Sequence, residues 1–430
     1  MVNLSLIAPK DEDLYRCVHC GLCLNVCPTY LETGLETESP RGRIALMKAV
    51  REERVGLTDN IVSHMELCLQ CRACEVACPS GVPFGRLMEV TRAQIQNQSI
   101  GSPIRRILLR MVFRHLLPHP RRLYRLARLL RIYQRTGLHH LISRLPSVLG
   151  NFHRQIPNLP TRFFAPLGES FPALGEERAC VGLLSGCVMP LAQGPTMEAA
   201  VLVLNRNGFR VVVPKSQLCC GALHLHGGDK SQAQELARRN IDAFLEAEIT
   251  TVVVASAGCG STMKDYGELL EDDTQYSKLA KRFGDMVVDI TEYLAKLPLE
   301  QPSSSLFLKV TYQDACHLAH AQRITEAPRV VLRSIPGLEL VELENSTRCC
   351  GAAGLYSALQ PRMSQRLSES KATSILHTGA QVVATANPGC TIQIEASMKR
   401  VVKGIRVCHV VDLLDEAYQL DSDPTVSKGP

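Results

Sequence analysis

The chain has 430 residues, of which 45% are apolar, 21% charged and 5% aromatic, with no Trp and a formal net charge of +6. That balance excludes collagen-like, mucin-like and wholly disordered chains, and the length allows several domains that each bury a core. No apolar run reaches the ~18 residues of a spanning helix, and residues 1–15, with Lys10, Asp11, Glu12 and Asp13 after a short apolar patch, do not read as a signal peptide. A cytoplasmic, reducing setting is therefore expected. There, 18 cysteines are better read as metal ligands or redox groups than as a disulfide framework.

The first pattern along the chain is a duplicated one. Cys17, Cys20, Cys23 and Cys27 precede Pro28, and Cys68, Cys71, Cys74 and Cys78 precede Pro79. Both runs read C-x2-C-x2-C-x3-C-P, the spacing of bacterial [4Fe–4S] sites. Three thiolates on one tight backbone wrap suit three corners of a cube, and the fourth, next to Pro, reaches the other cube in two-cluster ferredoxins. The expected ligand sets are Cys17, Cys20, Cys23 and Cys78 for one cluster, and Cys68, Cys71, Cys74 and Cys27 for the other. Structural zinc competes poorly, because its thiolates usually come as separated C-x2-C pairs. Helical periodicity at 42–54 (GRIALMKAVREER), 62–65 and 87–95 makes residues 1–98 an α-helical, two-cluster ferredoxin-like domain rather than a small hairpin one.

Residues 99–168 contain 13 Arg and no Lys, Asp or Glu. The positive charge of the chain resides in this strip, since both flanks are slightly acidic. Arg106, Arg110 and Arg114 recur every four residues, with Ile104, Leu108, Met111 and Val112 on another side. Arg121, Arg125 and Arg128 repeat the scheme after Pro118 and Pro120. Two basic amphipathic helices are predicted. Such helices suit the anionic cytoplasmic face of an inner membrane or the acidic face of a partner subunit. A solvated linker is the plainer reading. Nucleic acid is not expected, because no recognition module accompanies the arginines.

Residues 169–298 and 299–420 repeat one another. Cys187, the Cys219-Cys220-Gly221 triplet and Cys259 recur about 130 residues later as Cys316, Cys349-Cys350-Gly351 and Cys390. VVDI at 287–290 and VVDL at 410–413 add to the match. Short β-branched or apolar runs at 180–184, 209–213 and 250–255, and again at 308–312, 338–343 and 381–386, alternate with helical stretches such as 231–248. That alternation predicts βαβ units. The cysteines follow strands, and open α/β sheets gather ligands at the carboxyl ends of strands. Each copy should therefore collect its four thiols at one edge as a metal or redox site, with Gly221 and Gly351 providing positive φ or close approach. Four thiols suit a cluster, a zinc ion or a dithiol. His224, His226 and His317 lie near these cysteines and read first as packing or surface groups. Cys180 and Cys408 read as buried thiols outside the pattern, and residues 421–430 as a loose polar tail. No dinucleotide or triphosphate loop and no catalytic residue is read in this chain.

The segments CVHCGLCLNVCPTY, SPRGRIALMKAV and CLQCRACEVACPSGV, with the paired CCGA motifs, resemble the iron–sulfur subunits of glycolate oxidase (glycolate dehydrogenase) over residues 15–418. The layout is also similar to that of a subunit of anaerobic glycerol-3-phosphate dehydrogenase and to the cysteine-rich (CCG) domains of heterodisulfide reductases. The resemblance implies a multidomain chain in which an α-helical ferredoxin domain with two [4Fe–4S] clusters is followed by two related α/β CCG domains. It further implies electron transfer from FAD-bearing partner subunits, which oxidise glycolate or another 2-hydroxyacid, toward the respiratory chain. Lactate and glycerol 3-phosphate are the alternative parent substrates, and a thiol or disulfide reductase is the alternative activity. Heterodisulfide-type domains commonly end C-x2-C, whereas Cys259 is followed here by Gly-Ser-Thr and Cys390 by Thr-Ile-Gln. The missing thiol counts against the reductase.

Overall fold

A computed structural model describes residues 8–98, 107, 111–136, 159–165, 167–402 and 404–422. The N-terminal part is built from helices, chiefly Pro40–Arg51, Asp59–Glu66 and Phe84–Asn97. Ser39 and Thr58 cap the first two by accepting the N–H groups of Gly42 and Ile61, and Pro40 stands in the first turn, where its missing N–H costs nothing. Ile44 and Met47 from the first helix, Ile61, Val62 and Met65 from the second, and Leu87 and Met88 from the third close on Leu14 and Phe84. Cys68 and Cys74 are part of the same core.

One buried cation organises this part. Arg43 donates to the Glu38 carboxylate (2.7 Å) and carbonyl (2.9 Å), to Thr29 Oγ1 (3.1 Å) and to the His64 carbonyl (2.8 Å). Every face of the guanidinium is thereby matched, which is the condition for burying it. The network also fixes the chain just after Cys27, whose sulfur lies 3.3 Å from Thr29 Oγ1.

Nine strands follow among the described residues. β1 (Ser170–Phe171), β2 (Ala179–Leu183), β3 (Phe209–Val212), β4 (Val252–Val254) and β5 (Val287–Asp289) form a sheet of order β1-β3-β2-β4-β5, parallel except for β1. β6 (Lys309–Tyr312), β7 (Glu339–Val341), β8 (Val382–Thr385) and β9 (Arg406–His409) form a parallel sheet of order β7-β6-β8-β9. The apolar runs expected at 180–184, 209–213, 250–255, 308–312, 338–343 and 381–386 coincide with β2, β3, β4, β6, β7 and β8 to within two residues. Central parallel strands are covered on both faces, so they read as unbroken Val-rich segments.

The two sheets share a helical layer. Helices Gly194–Arg206, Ile290–Ala295, Glu326–Arg333 and Val410–Ser422 lie in one core with strand residues of both copies, including Met197, Leu204, Leu332 and Leu414 together with Val211 and Val310. Each such side chain contributes roughly 1.5–3 kcal/mol on burial, so the copies are fused rather than strung together.

Three details differ from the sequence reading. VVDI and VVDL fall on different elements, because Val252 pairs with Val287 in the first sheet whereas Val382 pairs with Arg406 in the second. Asp289 caps its helix by accepting the Thr291 N–H (2.8 Å), while Asp412 reaches back from inside its helix to the His409 N–H (2.8 Å). Cys180 is only half-buried, on β2, whereas Cys408 is buried. Asp421, read as the start of a tail, belongs to the last helix and accepts hydrogen bonds from Ser303 and Ser304.

Arg329 forks onto Asp314 (3.0 and 2.8 Å), two residues before Cys316, and lies 5.2 Å from the centre of the Tyr312 ring. Arg329→Leu strands a buried carboxylate and is expected to cost roughly 3–5 kcal/mol, read as a lower midpoint of urea unfolding. Arg54→Ala, which removes an exposed pair with Glu52, should leave that midpoint unchanged within error.

Candidate metal and redox centres

The two N-terminal motifs share one backbone device. The residue before the second cysteine has positive φ in both, at His19 (56°) and Gln70 (52°), and so does the residue after it, at Gly21 (85°) and Arg72 (62°). Left-handed turns alternating with right-handed ones coil the chain about a point. For a residue with a Cβ the conformation costs roughly 1–3 kcal/mol, and at the second motif tertiary contacts offset that cost. Arg72 is held between Glu75 (2.8 Å) and Asp265 (2.7 Å). The Gln70 side chain accepts from Arg92 (3.2 Å), its carbonyl accepts from His317 Nε2 (3.0 Å), and its N–H points at Cys68 Sγ (3.4 Å).

Cys17, Cys20, Cys23 and Cys78 line one small cleft together with Cys74. Cys27 lies close enough to Cys71 and Cys74 to act on both thiols, and it also acts on Cys23. Burial, reinforced by neighbouring sulfurs, pushes the thiols of Cys71 and Cys74 well above the usual range. Sulfurs in such a place stay anionic only beside strong positive charge, which an iron–sulfur core supplies. Among the described residues no three His, Cys, Asp or Glu side chains are grouped as ligands of a single ion. The duplicated four-cysteine spacing, with Cys78 at the first loop and Cys27 beside the sulfurs of the second, fits a cube.

In the first α/β unit Cys187 follows β2, Cys219 and Cys220 follow β3, and Cys259 lies in helix Ala257–Lys264 after β4. In the second, Cys316 follows β6, Cys349 and Cys350 follow β7, and Cys390 lies in helix Pro388–Val401 after β8. The sulfurs meet in chain order. Cys187 is 3.3 Å from Cys219, which contacts Cys220, which contacts Cys259. Cys316, Cys349, Cys350 and Cys390 are linked the same way. Gly221 and Gly351 both have φ of 87°, and a Cβ on Gly351 would stand 2.8 Å from the Ser364 carbonyl oxygen. Both reasons for glycine at this point, positive φ and close approach, hold there.

One sulfur in each quartet is the acidic one. Cys219 receives hydrogen bonds from Cys187 and Cys220, and Cys350 from Cys349 and Cys390. Both drop well below the usual thiol range, while their donors rise. The basic neighbours differ between the copies. His224 adjoins Cys219 and bonds the Phe113 carbonyl through Nε2 (2.7 Å). Burial opposes its charge, but Cys219 and that carbonyl outweigh burial and raise it. In the second copy Gly354 stands in the matching position, and the buried Lys371 ammonium, pushed down to about 8 by burial, supports Cys350 while donating to the Asn345 carbonyl (2.7 Å). Residue order alone sets His224 among the packing groups and carries no signal for Lys371 or Phe113, which lie far from any cysteine along the chain.

These sites adjoin. Leu69, Cys71, Cys316, Cys349 and Tyr356 pack together, and Tyr356 donates to the Leu67 carbonyl (2.9 Å). Asn387 Oδ1 accepts the Gly258 N–H (3.2 Å), joining the thiol edges of the two copies. Arg92 reaches the Cys68 carbonyl (2.7 Å) and the His226 carbonyl (2.8 Å), so one guanidinium ties the second cysteine loop to the first α/β unit. Beside it lies a polar cavity of about 460 Å3, lined among others by Arg86, Glu89, His226 and His317. Of the predicted basic helices, Arg106 and Arg110 lie outside the described residues. Arg114 forks onto Asp229 (3.0 and 3.1 Å), which caps helix Lys230–Glu246. Arg114 thus staples the connector inward. Helix Pro120–Arg135 leaves Arg121, Arg125 and Arg128 exposed.

Residues 13–82 match the family described as "4Fe-4S dicluster domain", and residues 181–264 and 310–395 match "Cysteine-rich domain". Residues 104–148 match "Glycolate oxidase iron-sulfur subunit, linker region". A "Probable glycolate oxidase iron-sulfur subunit" of Bacillus subtilis is 37% identical over 95% of this chain and 94% of its own length. The chain belongs to the glycolate oxidase iron–sulfur subunit family. The "Glycolate oxidase iron-sulfur subunit" of Escherichia coli is 31% identical over 95% of each chain. "Lactate utilization protein A" of Shouchella clausii is 31% identical over 55% of this chain and 98% of its own length. In this member of the glycolate oxidase iron–sulfur subunit family, no described helix is long and apolar enough to cross a membrane.

Glu89, half-buried on the wall of the polar cavity, is pushed from its ordinary 4.5 up to about 8, chiefly by removal from water and then by Asp265 and Glu268 against the opposing pull of Arg72. Folding therefore takes up a proton between pH 4.5 and about 8, and the burdened carboxylate weakens the fold progressively as pH rises through that window. Glu89→Gln should melt above the parent at pH 8, with the gap closing toward pH 4.5. Melting curves of the two proteins across that range check the sign.

Proposed function

We propose that this chain is the electron-transfer subunit of a flavin-dependent complex that oxidises glycolate and delivers the electrons toward the respiratory chain. The observation that carries the reading is the packing of the 68–74 loop against the thiol edge of the second α/β unit, in a chain 37% identical to a probable glycolate oxidase iron–sulfur subunit. Cys17, Cys20, Cys23 and Cys78 would hold one [4Fe–4S] cluster, and Cys68, Cys71, Cys74 and Cys27 the other. When bound, such clusters supply one-electron oxidation and reduction at potentials set by ligation, hydrogen bonding and exposure.

The chain's own residues do the positioning. The Gln70 N–H faces Cys68 Sγ, Arg43 fixes the segment after Cys27, and Leu69 and Tyr356 keep water from the second loop. The first loop is open by contrast. Cys20 is exposed, and Val18 and Leu22 beside it are 67% and 55% exposed. An apolar patch around an exposed redox site suits a protein partner, here the FAD-bearing subunits, to which the substrate chemistry belongs. The α/β quartets add two further redox sites, each with one acidified sulfur beside a basic side chain. The complex rests on the cytoplasmic face of the inner membrane through helix Pro120–Arg135. Leu126, Leu129 and Ile132 are exposed along that helix among arginines, with no acidic residue to repel anionic lipid.

Two measurements test this. The purified chain alone should give no glycolate-dependent dye reduction, and addition of the flavin subunits should restore it; turnover by the chain alone overturns the reading. Cys17→Ser and Cys78→Ser should each remove the same cluster, lowering iron by about four per chain and abolishing the same low-temperature EPR signal. If Cys78→Ser instead matched Cys68→Ser, the crossed ligand sets would be wrong. Clearly more than about eight irons in the parent would place clusters in the α/β quartets as well.

A further inference from the structure

Between helix Pro120–Arg135 and the first α/β unit lies a cleft of about 340 Å3. Its walls are Leu123, Tyr124, Phe164, Leu167, Pro190 and Leu191, and it reaches Cys187, the first thiol of that unit's quartet. The loop carrying Cys187 is rigidly set. Buried Gln217 accepts the Ser185 N–H (2.7 Å) and donates to the Leu183 carbonyl (3.1 Å), locking the turn out of β2. The outer wall is braced as well, because Tyr124 packs edge-on against Phe163 (5.3 Å) and carries the Arg128 guanidinium over its ring (5.9 Å). Arg121, Arg125 and Arg128 complete the lining, with no carboxylate among them.

Each property narrows the occupant. Apolar and aromatic walls call for a flat, apolar body of small-molecule size. Guanidinium groups with no carboxylate beside them among the described cleft residues call for oxygen acceptors on that body. A thiol of a redox quartet at the inner end calls for a molecule that exchanges electrons. The same helix exposes Leu126 (48%), Leu129 (65%) and Ile132 (58%) away from the cleft, a face that suits a lipid surface next to it.

We propose that this cleft binds the head group of a lipid-soluble quinone beside Cys187, making it the electron exit of the chain. The proposal rests on the electron-transfer reading above. The step balances: glycolate loses two electrons and two protons in becoming glyoxylate on the partner, the quinone gains two electrons from this chain and two protons from water at the cleft mouth, both carbonyl oxygens become hydroxyls, and the quinol returns to the lipid. Arg121, Arg125 and Arg128 offer donors to the quinone oxygens and favour the anion formed after the first electron.

The test is photolabelling of the full chain, alone and assembled with its flavin subunits, by an azido-substituted quinone with a short side chain. Label should map by mass spectrometry to the peptides containing Tyr124, Phe164 and Leu191 and be displaced by unlabelled quinone. Ala165→Trp, which adds bulk at an exposed cleft position, should lower labelling about tenfold, with iron content retained. Leu123→Trp repeats the test from the helix side. In the assembled complex, glycolate-driven quinone reduction should fall about tenfold relative to dye reduction in both variants. Label spread over other peptides, displacement by phospholipid as effective as by quinone, or an unchanged quinone-to-dye ratio would overturn the proposal. Loss of glycolate-driven dye reduction in the parent complex would instead strike the electron-transfer reading, and the labelling pattern would still decide the cleft.

Discussion

A single hydrogen bond, from His317 Nε2 to the carbonyl of Gln70, marks the constraint on which the rest of the molecule depends. It docks the second cysteine loop on the thiol edge of the second α/β unit through the residue that follows Cys316. For the electron transfer proposed above, redox groups must be close and fixed, and this contact holds the loop against the edge rather than merely tethering it. Tyr356 on Leu67 and Arg92 on Cys68 hold it from two further directions. The left-handed backbone is sustained at Gln70 by this His317 contact and at Arg72 by Asp265 of the first α/β unit. Local strain and domain docking therefore support each other.

The fused α/β pair gives this docking a rigid base. Helices from both copies fill one apolar layer between the sheets, and the thiol edges are joined where Gly258 meets Asn387. Within that near-symmetric frame the chemistry has diverged. A histidine steadied by a connector phenylalanine stands by the acidic sulfur of one quartet, and a buried lysine stands by that of the other. Two thiol quartets of the same topology thus sit in different electrostatic fields.

Much of this was legible from residue order, because the signals were local. The C-x2-C-x2-C-x3-C-P runs, the β-branched segments that became β2, β3, β4, β6, β7 and β8, and the periodicity behind helix Pro40–Arg51 depend on neighbours a few positions away. The gathering of Cys187, Cys219, Cys220 and Cys259 at one sheet edge followed from strand direction alone. What escaped depends on partners far along the chain. Arg114 looked like part of a docking face, yet its partner Asp229 is 115 residues away. Lys371 sits in an ordinary amphipathic pattern, and only the fold brings it to Cys350. The VVDI and VVDL segments are alike as text, but pairing register, which no short window contains, sends one into a strand and the other into a helix.

The interleaving of Cys27 and Cys78 has a consequence for biogenesis. Cys78 lies in the cleft of the first loop, and Cys27 acts on the sulfurs of the second. Under the crossed ligand sets proposed above, the first loop offers three of its four thiols until residue 78 has emerged from the ribosome, and the second loop is completed at almost the same moment. On that assignment cofactor insertion waits for the chain to extend past residue 78, and a nascent chain arrested short of that point lacks a ligand of the first cluster.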